Sequence, residues 1–322
     1  MKYLRLTSTD PYYNLAVEEY LFRRKNYDVF MLWQNERTVV IGKNQNIKAE
    51  VNLEYTEREN IRVARRLTGG GAVYHDLGNL NYTFIGNGGG EIDFARFTRP
   101  IIDALGELGV TAVLSGRNDL ECDGRKFSGN AQCIEGDRVL HHGTLLFDTD
   151  ITVLEGALLV DKEKIRAHAL ASVRSRVVNL RELLPAVPSA SALADLILAS
   201  VEEKYGMERL ALDADDLGEI EKIRERNTSR EWLIPDEGIA SRYHTVRSKR
   251  YDFGRVEMHL DMSGEKVRSA RIVGDFFGKR PVSELEEALS GLAKGDEITL
   301  PHPIGDYILG MTEGELTTLV FG

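Results

Sequence analysis

The stretch Arg65–Ile85, RRLTGGGAVYHDLGNLNYTFI, constrains the chain more than any other. Two arginines precede three consecutive glycines, Gly69, Gly70 and Gly71, and a strand-like run follows. Glycine tolerates φ > 0 and lets main-chain N–H groups come close to a ligand. Bare backbone beside fixed positive charge suits a cradle for a phosphate or a carboxylate. A glycine run also serves as a flexible hairpin loop, and the stretch alone leaves both readings open. It has neither the G-x-G-x-x-G spacing of a dinucleotide fingerprint nor the closing Gly-Lys-Ser/Thr of a P-loop.

The 322 residues suffice for one large domain and a smaller one. Lys plus Arg total 41 against 51 Asp plus Glu, a net charge of -10. That balance argues against a general nucleic-acid binder and leaves room for a local basic groove. The start MKYLRLTSTDPYY lacks the apolar core of a signal peptide, and no apolar run reaches the length of a membrane span. The two cysteines, Cys122 and Cys133, flank an expected hairpin, so a disulfide between them stays open. Such sparse cysteine fits a reducing cytosol better than a disulfide framework. The expectation is a soluble cytoplasmic protein with no nucleic-acid and no membrane partner.

Asp10-Pro11 is a helix start, with Asp10 as N-cap and Pro11 at the first helical position, for a helix running to about Arg24. DVFMLWQNERTVVIG gives two strands joined by the polar turn Gln34–Arg37. A helix ends at Gly109, and Pro100 inside it predicts a kink or a late start. Ala112 to Asp148 is β-rich, with turns at Asp123-Gly124 and Gly136-Asp137. Residues 190–204 and 213–226 are amphipathic helices. The composition shifts near Pro235–Gly238. Beyond it lie a hairpin turning at Ser263-Gly264 and two capping-box helices, Ser283 with Glu286 and Thr312 with Glu315. The domains expected are 1–240 and 245–322, the second a small α+β unit.

The second informative stretch is SGRNDLECDGRKFSGNAQ, Ser115 to Gln132. Lys126 follows a tight Asp-Gly turn, which gives it the rigid base a charge-stabilising group needs. Ser128, Gly129 and Asn130 beside it leave room for a ligand. A solvated surface lysine is the plainer alternative. Asp119 is placed either to hold Mg²⁺ or to orient Lys126, or as a simple loop cap. His141 and His142 adjoin on a strand and point to opposite faces, so they do not share a metal. Each reads as packed or hydrogen-bonded, and Gly143 as a place where backbone approaches a ligand. Arg174 and Arg176, with Lys162, Lys164 and Arg166 upstream, form either a solvated face or a dock for an acidic partner.

The runs RRLTGGGAVYHDLGNLNYTF, GRNDLECDGRKFSGNAQ, HHGTLLFDTD and SVRSRVVNLRELLP resemble the lipoate–protein ligase family, in that family's order and spacing. VGDFFGKRPVSELEEALSGL and the terminal GMTEGELTTLVFG resemble its accessory domain. The resemblance implies an α+β fold of the biotin/lipoate-ligase type, related to class II aminoacyl-tRNA synthetases: a mixed sheet with flanking helices, plus a small C-terminal domain. It implies ATP and Mg²⁺, with free lipoate made into lipoyl-AMP and then joined to a lysine of a lipoyl domain. The acceptors implied are the lipoyl domains of 2-oxoacid dehydrogenase complexes and the glycine cleavage H protein. Lys126 is the implied catalytic residue. Arg65, Gly71, Ala72, Val73 and Tyr74 join it at the nucleotide, and Gly70 and His142 join it at lipoate. Some family members carry an arginine near the dithiolane end, where this chain has Cys133. Two rivals stand beside this reading: an ATP-independent octanoyl or lipoyl transferase with a cysteine acyl-enzyme, and a non-catalytic lipoate-binding module.

Overall fold

The computed structural model describes residues 1–88, 90–159, 176–235 and 237–322. The first helix, Pro11–Arg24, starts as its sequence dictates: the Asp10 carboxylate accepts the Tyr12 N–H, and Pro11 sits where no N–H is needed. The strands fall into three sheets. β1 (Lys2–Arg5) and β2 (Val29–Trp33) belong to the largest, and β3 (Thr38–Ile41), β4 (Arg62–Arg65) and β5 (Val73–His75) form a small separate one. β6 (Asn79–Asn87), β7 (Val113–Ser115), β8 (Asp119–Cys122), β9 (Arg125–Glu135), β10 (Arg138–Leu146) and β11 (Glu208–Arg209) return to the first. β12 (Thr245–Tyr251), β13 (Gly254–Ser263) and β14 (Lys266–Gly274) make the third.

Among the described residues the large sheet has eight strands in the order β11-β1-β2-β6-β10-β9-β8-β7. β1 runs parallel to both β11 and β2, and the remaining pairs are antiparallel. This is the mixed sheet with flanking helices that the sequence led us to expect. Its centre is β6, buried from Asn79 to Gly86, as a strand covered on both faces must be. Leu80, Tyr82 and Phe84 face the helices Phe94–Glu107 and Ala190–Tyr205 across the main core. The alternate residues Asn81, Thr83 and Ile85 face the other way, where Ile85 packs with Leu15, Val17 and Leu21 of the first helix. Two polar residues on that second face are the first sign of a site beneath this helix.

One local expectation gains detail and two need correction. The turn Gln34–Arg37 does join two strands, but it carries the chain between sheets: β2 pairs with β1 and β6, and β3 with β4 and β5. Every residue of both strands is buried, so each needs neighbours on both edges. Pro100 does not delay its helix, which starts at Phe94 with the Asp93 carboxylate accepting the Arg96 N–H. The bond lost at the proline is offset by burial of Phe97, Ile101, Ala104 and Leu105. The Ser283 capping box does not form, because Glu286 is drawn elsewhere. Its carboxylate accepts the Ile272 N–H at 2.8 Å and pairs with Arg271, tying the helix Val282–Leu289 to β14.

The third sheet and the two helices Val282–Leu289 and Glu313–Phe321 share a hydrophobic core of their own, with Val256, Met258, Ile272, Leu285 and Leu316 at its centre. No helix among the described residues is long and apolar enough to cross a membrane. The Thr312 box does form: the Glu315 carboxylate accepts the Thr312 N–H at 2.9 Å, and the Thr312 hydroxyl accepts the Glu315 N–H at 3.3 Å. Thr312→Ala should therefore lower stability by about 1 kcal/mol, whereas Ser283→Ala should stay within roughly 0.5 kcal/mol. Urea unfolding of the two variants reads the difference, and equal losses would contradict the assignment of the caps.

Candidate active site

Both arginines before the glycines bond main-chain carbonyls, and Arg66 also lines the inner of the two chambers beneath the glycine loop. Arg65 is 4% exposed, and its guanidinium donates to the carbonyls of Gly42, Lys43, Gln45, Trp232 and Leu233. Arg65 lines neither of the two chambers, although the sequence placed it at the nucleotide phosphates. A cation with its donors on neutral carbonyls is a structural rivet. Arg66 donates to the carbonyls of Val40, Gly69 and Gly71 and to the Thr68 hydroxyl. Burial pulls its pKa down to about 10, so it stays charged at neutral pH. With the Gly71 carbonyl held by Arg66, the trans peptide turns the next N–H, that of Ala72, to the opposite side. The charge acts on the loop, and the loop presents the amides.

Two chambers meet under this loop. The inner one, about 260 Å³, is bounded by Leu15, Trp33, Val40 and Val73, with Asn81 and His142 on its sheet side. The outer one, about 660 Å³, is bounded by Tyr74, Leu154 and Leu158, by Arg176, Arg250 and Arg255, and by Glu50, Glu121 and Glu155. Gly71, Ala72, Val73, Asp119, Lys126 and Asp275 line both.

The inner chamber is fixed by a buried hydrogen-bond chain. Trp33 donates Nε1–H to the Thr83 hydroxyl at 3.0 Å, and Thr83 donates to Glu18 at 2.7 Å. His142 donates Nδ1–H to the same carboxylate at 2.9 Å, leaving Nε2 to accept the Thr68 hydroxyl at 2.8 Å. Thr68 in turn accepts from Arg66. The chain thus ties the chamber wall to the glycine loop. His141 faces the opposite side, stacks on Phe97 at 5.5 Å and bonds Gln132. Gly143 is required by packing, since a Cβ there would meet Asn130 Oδ1 at 2.2 Å and the Tyr82 ring at 2.5 Å. Burial lowers the His75 pKa to about 3. His75 Nε2 and Asn81 Nδ2 are buried without a partner among the described residues, on side chains that line this chamber.

Lys126 stands where the chambers join. Asp123 and Gly124 have φ of 49° and 73°, the tight turn their sequence suggests. The β8–β9 ladder then steps from Glu121↔Lys126 to Leu120↔Ser128, a bulge at Phe127. Bulges re-aim side chains. Here Phe127 is fully buried, and the Lys126 ammonium reaches Asp119 at 2.8 Å. Gly129 leaves the space, for a Cβ there would lie 3.2 Å from Nζ. Asp119 is thus ion-paired with Lys126, and no cluster of three or more metal-ligating side chains occurs among the described residues.

Cys122 and Cys133 are both free, and neither lines a chamber. Burial pushes the Cys133 thiol up to about 11, so no thiolate forms there at neutral pH. Arg174, Lys162, Lys164 and Arg166 lie outside the described residues, while Arg176 borders the outer chamber. Glu18, Trp33, Thr68, Arg117 and Asp275 were not singled out from the sequence. Only Glu18 left a trace there, as a charged residue on the buried face of an apolar helix.

The glycines make a testable contrast. Gly70 has φ of +84°, and a Cβ there would lie 2.9 Å from the Phe277 ring; Gly71 has nothing within 4 Å. Gly70→Ala should lower the melting temperature. Gly71→Ala should leave it unchanged and weaken ligand binding instead. Equal thermal losses would contradict this geometry.

The family model "Lipoyl protein ligase A/B catalytic domain" matches residues 10–202, and "Bacterial lipoate protein ligase C-terminus" matches residues 240–299. The chain is 40% identical over 290 residues to lipoate-protein ligase LplJ of Bacillus subtilis, covering 88% of this chain and 87% of that one. It is 38% identical over 287 residues to lipoate–protein ligase 1 of Staphylococcus aureus, again over 88% and 87% of the two chains. A P. falciparum crystal structure in complex with lipoate superposes with a TM-score of 0.77 at 26% identity, covering 91% of this chain and 90% of that one. A glycine loop riveted by two arginines, a two-chambered pocket and a lysine at the join thus sit in a chain that belongs to the lipoate–protein ligase family.

Proposed function

We infer that this lipoate–protein ligase activates free lipoate with ATP and passes the lipoyl group to a lysine of a lipoyl domain. The observation that carries the reading is the place of Lys126, on the wall shared by an apolar-sided inner chamber and a cation-bordered outer one. In the first step a carboxylate oxygen attacks the α-phosphorus, and pyrophosphate leaves with the electron pair of the broken P–O bond. Both reactants are anions. A fixed ammonium between them and main-chain N–H groups on Gly71, Ala72, Val73 and Tyr74 offset the repulsion. In the second step the acceptor amine attacks the carbonyl carbon of the mixed anhydride, and AMP leaves. Lys126 then faces the oxygen on which charge develops.

The acyl chain takes the inner chamber, between Trp33, Leu15 and Val40, with His142 and Gly70 at its wall. Asn81 Nδ2 supplies a buried donor there. Mg²⁺ prefers oxygen ligands and binds through one or two carboxylates plus substrate phosphates. Asp119 and Asp275 are the carboxylates that line both chambers, so the donor set fits; the ion would neutralise phosphate charge there. The catalytic domain is residues 1–240 and the accessory domain 245–322. The acceptors we propose are the lipoyl domains of 2-oxoacid dehydrogenase complexes and the glycine cleavage H protein.

An acyltransferase working through a cysteine acyl-enzyme is disfavoured, because neither thiol reaches a chamber. A mere binding module has no use for a lysine positioned by a bulge and an aspartate.

Lys126→Ala should leave the fold intact and cut pyrophosphate release with ATP and lipoate by about a hundredfold or more, the usual scale for a lost charge-stabilising group. Release at the normal rate would remove Lys126 from the mechanism. Cys122→Ser with Cys133→Ser should keep most of the activity. Complete loss, with a thioester trapped on the unmodified protein, would revive the acyltransferase.

A further inference from the structure

Arg65 and Arg66 are committed to carbonyls, so the outer chamber must draw its positive charge from elsewhere. Besides Lys126, the cations lining it among the described residues are Arg176, Arg250 and Arg255. The last two belong to the C-terminal sheet, and they are directly opposite each other in the β12–β13 ladder. Opposite residues of an antiparallel pair leave the sheet on the same face. Like charges in that position destabilise a sheet, so this pair opposes the folding of the sheet that bears it.

Carboxylates hold the pair in place. Asp275 Oδ2 lies 3.7 Å from Arg250, and Asp275 Oδ1 accepts the Arg255 main-chain N–H. Glu257 takes the Arg255 guanidinium at 2.6 Å. Neither arginine is deeply buried: their side chains are 23% and 30% exposed. A guanidinium carries five N–H donors in a planar fork, so it can hold a carboxylate on one edge and a phosphate oxygen on another. Asp275 lines both chambers, beside Lys126 and Asp119, which places the pair on the phosphate side of the join.

We propose that Arg250 and Arg255 clamp the β- and γ-phosphates of the nucleotide and receive the charge of the departing pyrophosphate. This deepens the ligase reading and rests on it. It gives the C-terminal domain a chemical part in adenylation. The charge needed at the α-phosphate stays with Lys126 and the glycine loop, and both remain in place for the second step, when only AMP leaves.

The test uses the full chain with Arg250→Gln, Arg255→Gln and both together. Pyrophosphate release is followed at varied ATP and varied lipoate, with inorganic tripolyphosphate as a competing probe. The KM for ATP should rise about tenfold or more per arginine, the scale of a lost charge-assisted hydrogen bond. The KM for lipoate should hold, and inhibition by tripolyphosphate should fade. Transfer from supplied lipoyl-AMP to a lipoyl domain should keep its rate. Melting temperatures identify variants that fold, and the single variants serve if the double one melts early. An ATP KM within about twofold of the parent, with inhibition by tripolyphosphate intact, overturns the clamp. Slowed transfer with an unchanged ATP KM also overturns it, and assigns the pair to docking of the acceptor protein. If the parent chain itself releases no pyrophosphate with lipoate, the ligase reading fails and takes the clamp with it.

Discussion

Two buried guanidiniums bonded to main-chain carbonyls are the constraint on which the site depends. Burying a charge costs several kcal/mol unless its hydrogen-bonding groups are met. Arg66 meets that demand with three carbonyls and a hydroxyl, and Arg65 with five carbonyls. Those carbonyls belong to Val40 within β3, to Gly42, Lys43 and Gln45 after it, to the glycine run, and to Trp232 and Leu233 more than 160 residues further on. The glycines would otherwise lose the most conformational entropy of any residues on becoming ordered. Enthalpy from the arginines offsets it. The loop is then rigid before a ligand arrives, which is what electrostatic preorganisation requires.

Rigidity passes from the loop into the sheet through the chain Arg66, Thr68, His142, Glu18, Thr83 and Trp33. Arg66 and Trp33 donate at the two ends, Thr68, His142 and Thr83 each accept and donate, and the Glu18 carboxylate accepts from both sides. Buried networks of this kind specify one arrangement when complete. Its two ends are a loop that lines both chambers and an indole that lines the inner one. The shape of the acyl chamber and the placing of the loop are therefore one structural unit.

The C-terminal residues complete the enclosure. The Gly70 N–H donates to the Phe276 carbonyl at 3.2 Å, and the Gly274 N–H to the Asn44 carbonyl at 2.8 Å. Phe277 packs on Phe94 at 5.4 Å and lies 4.5 Å from the Arg117 guanidinium. Gly69 could carry no Cβ, because the Phe276 carbonyl oxygen occupies its place at 2.3 Å. The glycine run thus answers two needs: positive φ at Gly70, and close approach of a second backbone at Gly69.

The sequence by itself determined much of the local structure. Asp10-Pro11 fixed the first helix start, Asp123-Gly124 the turn before Lys126, and Thr312 with Glu315 the last helix cap, since each depends only on residues a few positions apart. It also singled out Lys126, Gly70 to Tyr74 and His142, all of which line one or both chambers, because their neighbours carry the pattern of a family. Tertiary structure decided the rest. Arg65 reads as a ligand cation until carbonyls from two distant segments surround it. Asp119 reads as a metal ligand or a lysine partner, and only the β8–β9 bulge brings Lys126 within 2.8 Å of it. Ser283 and Glu286 have the spacing of a cap, but Arg271 and the Ile272 N–H claim the carboxylate. Arg250 and Arg255 reach the outer chamber from a separate sheet. Local patterns name what a side chain can do. Which of its possible partners it meets depends on contacts between residues far apart in sequence, and no local pattern encodes those.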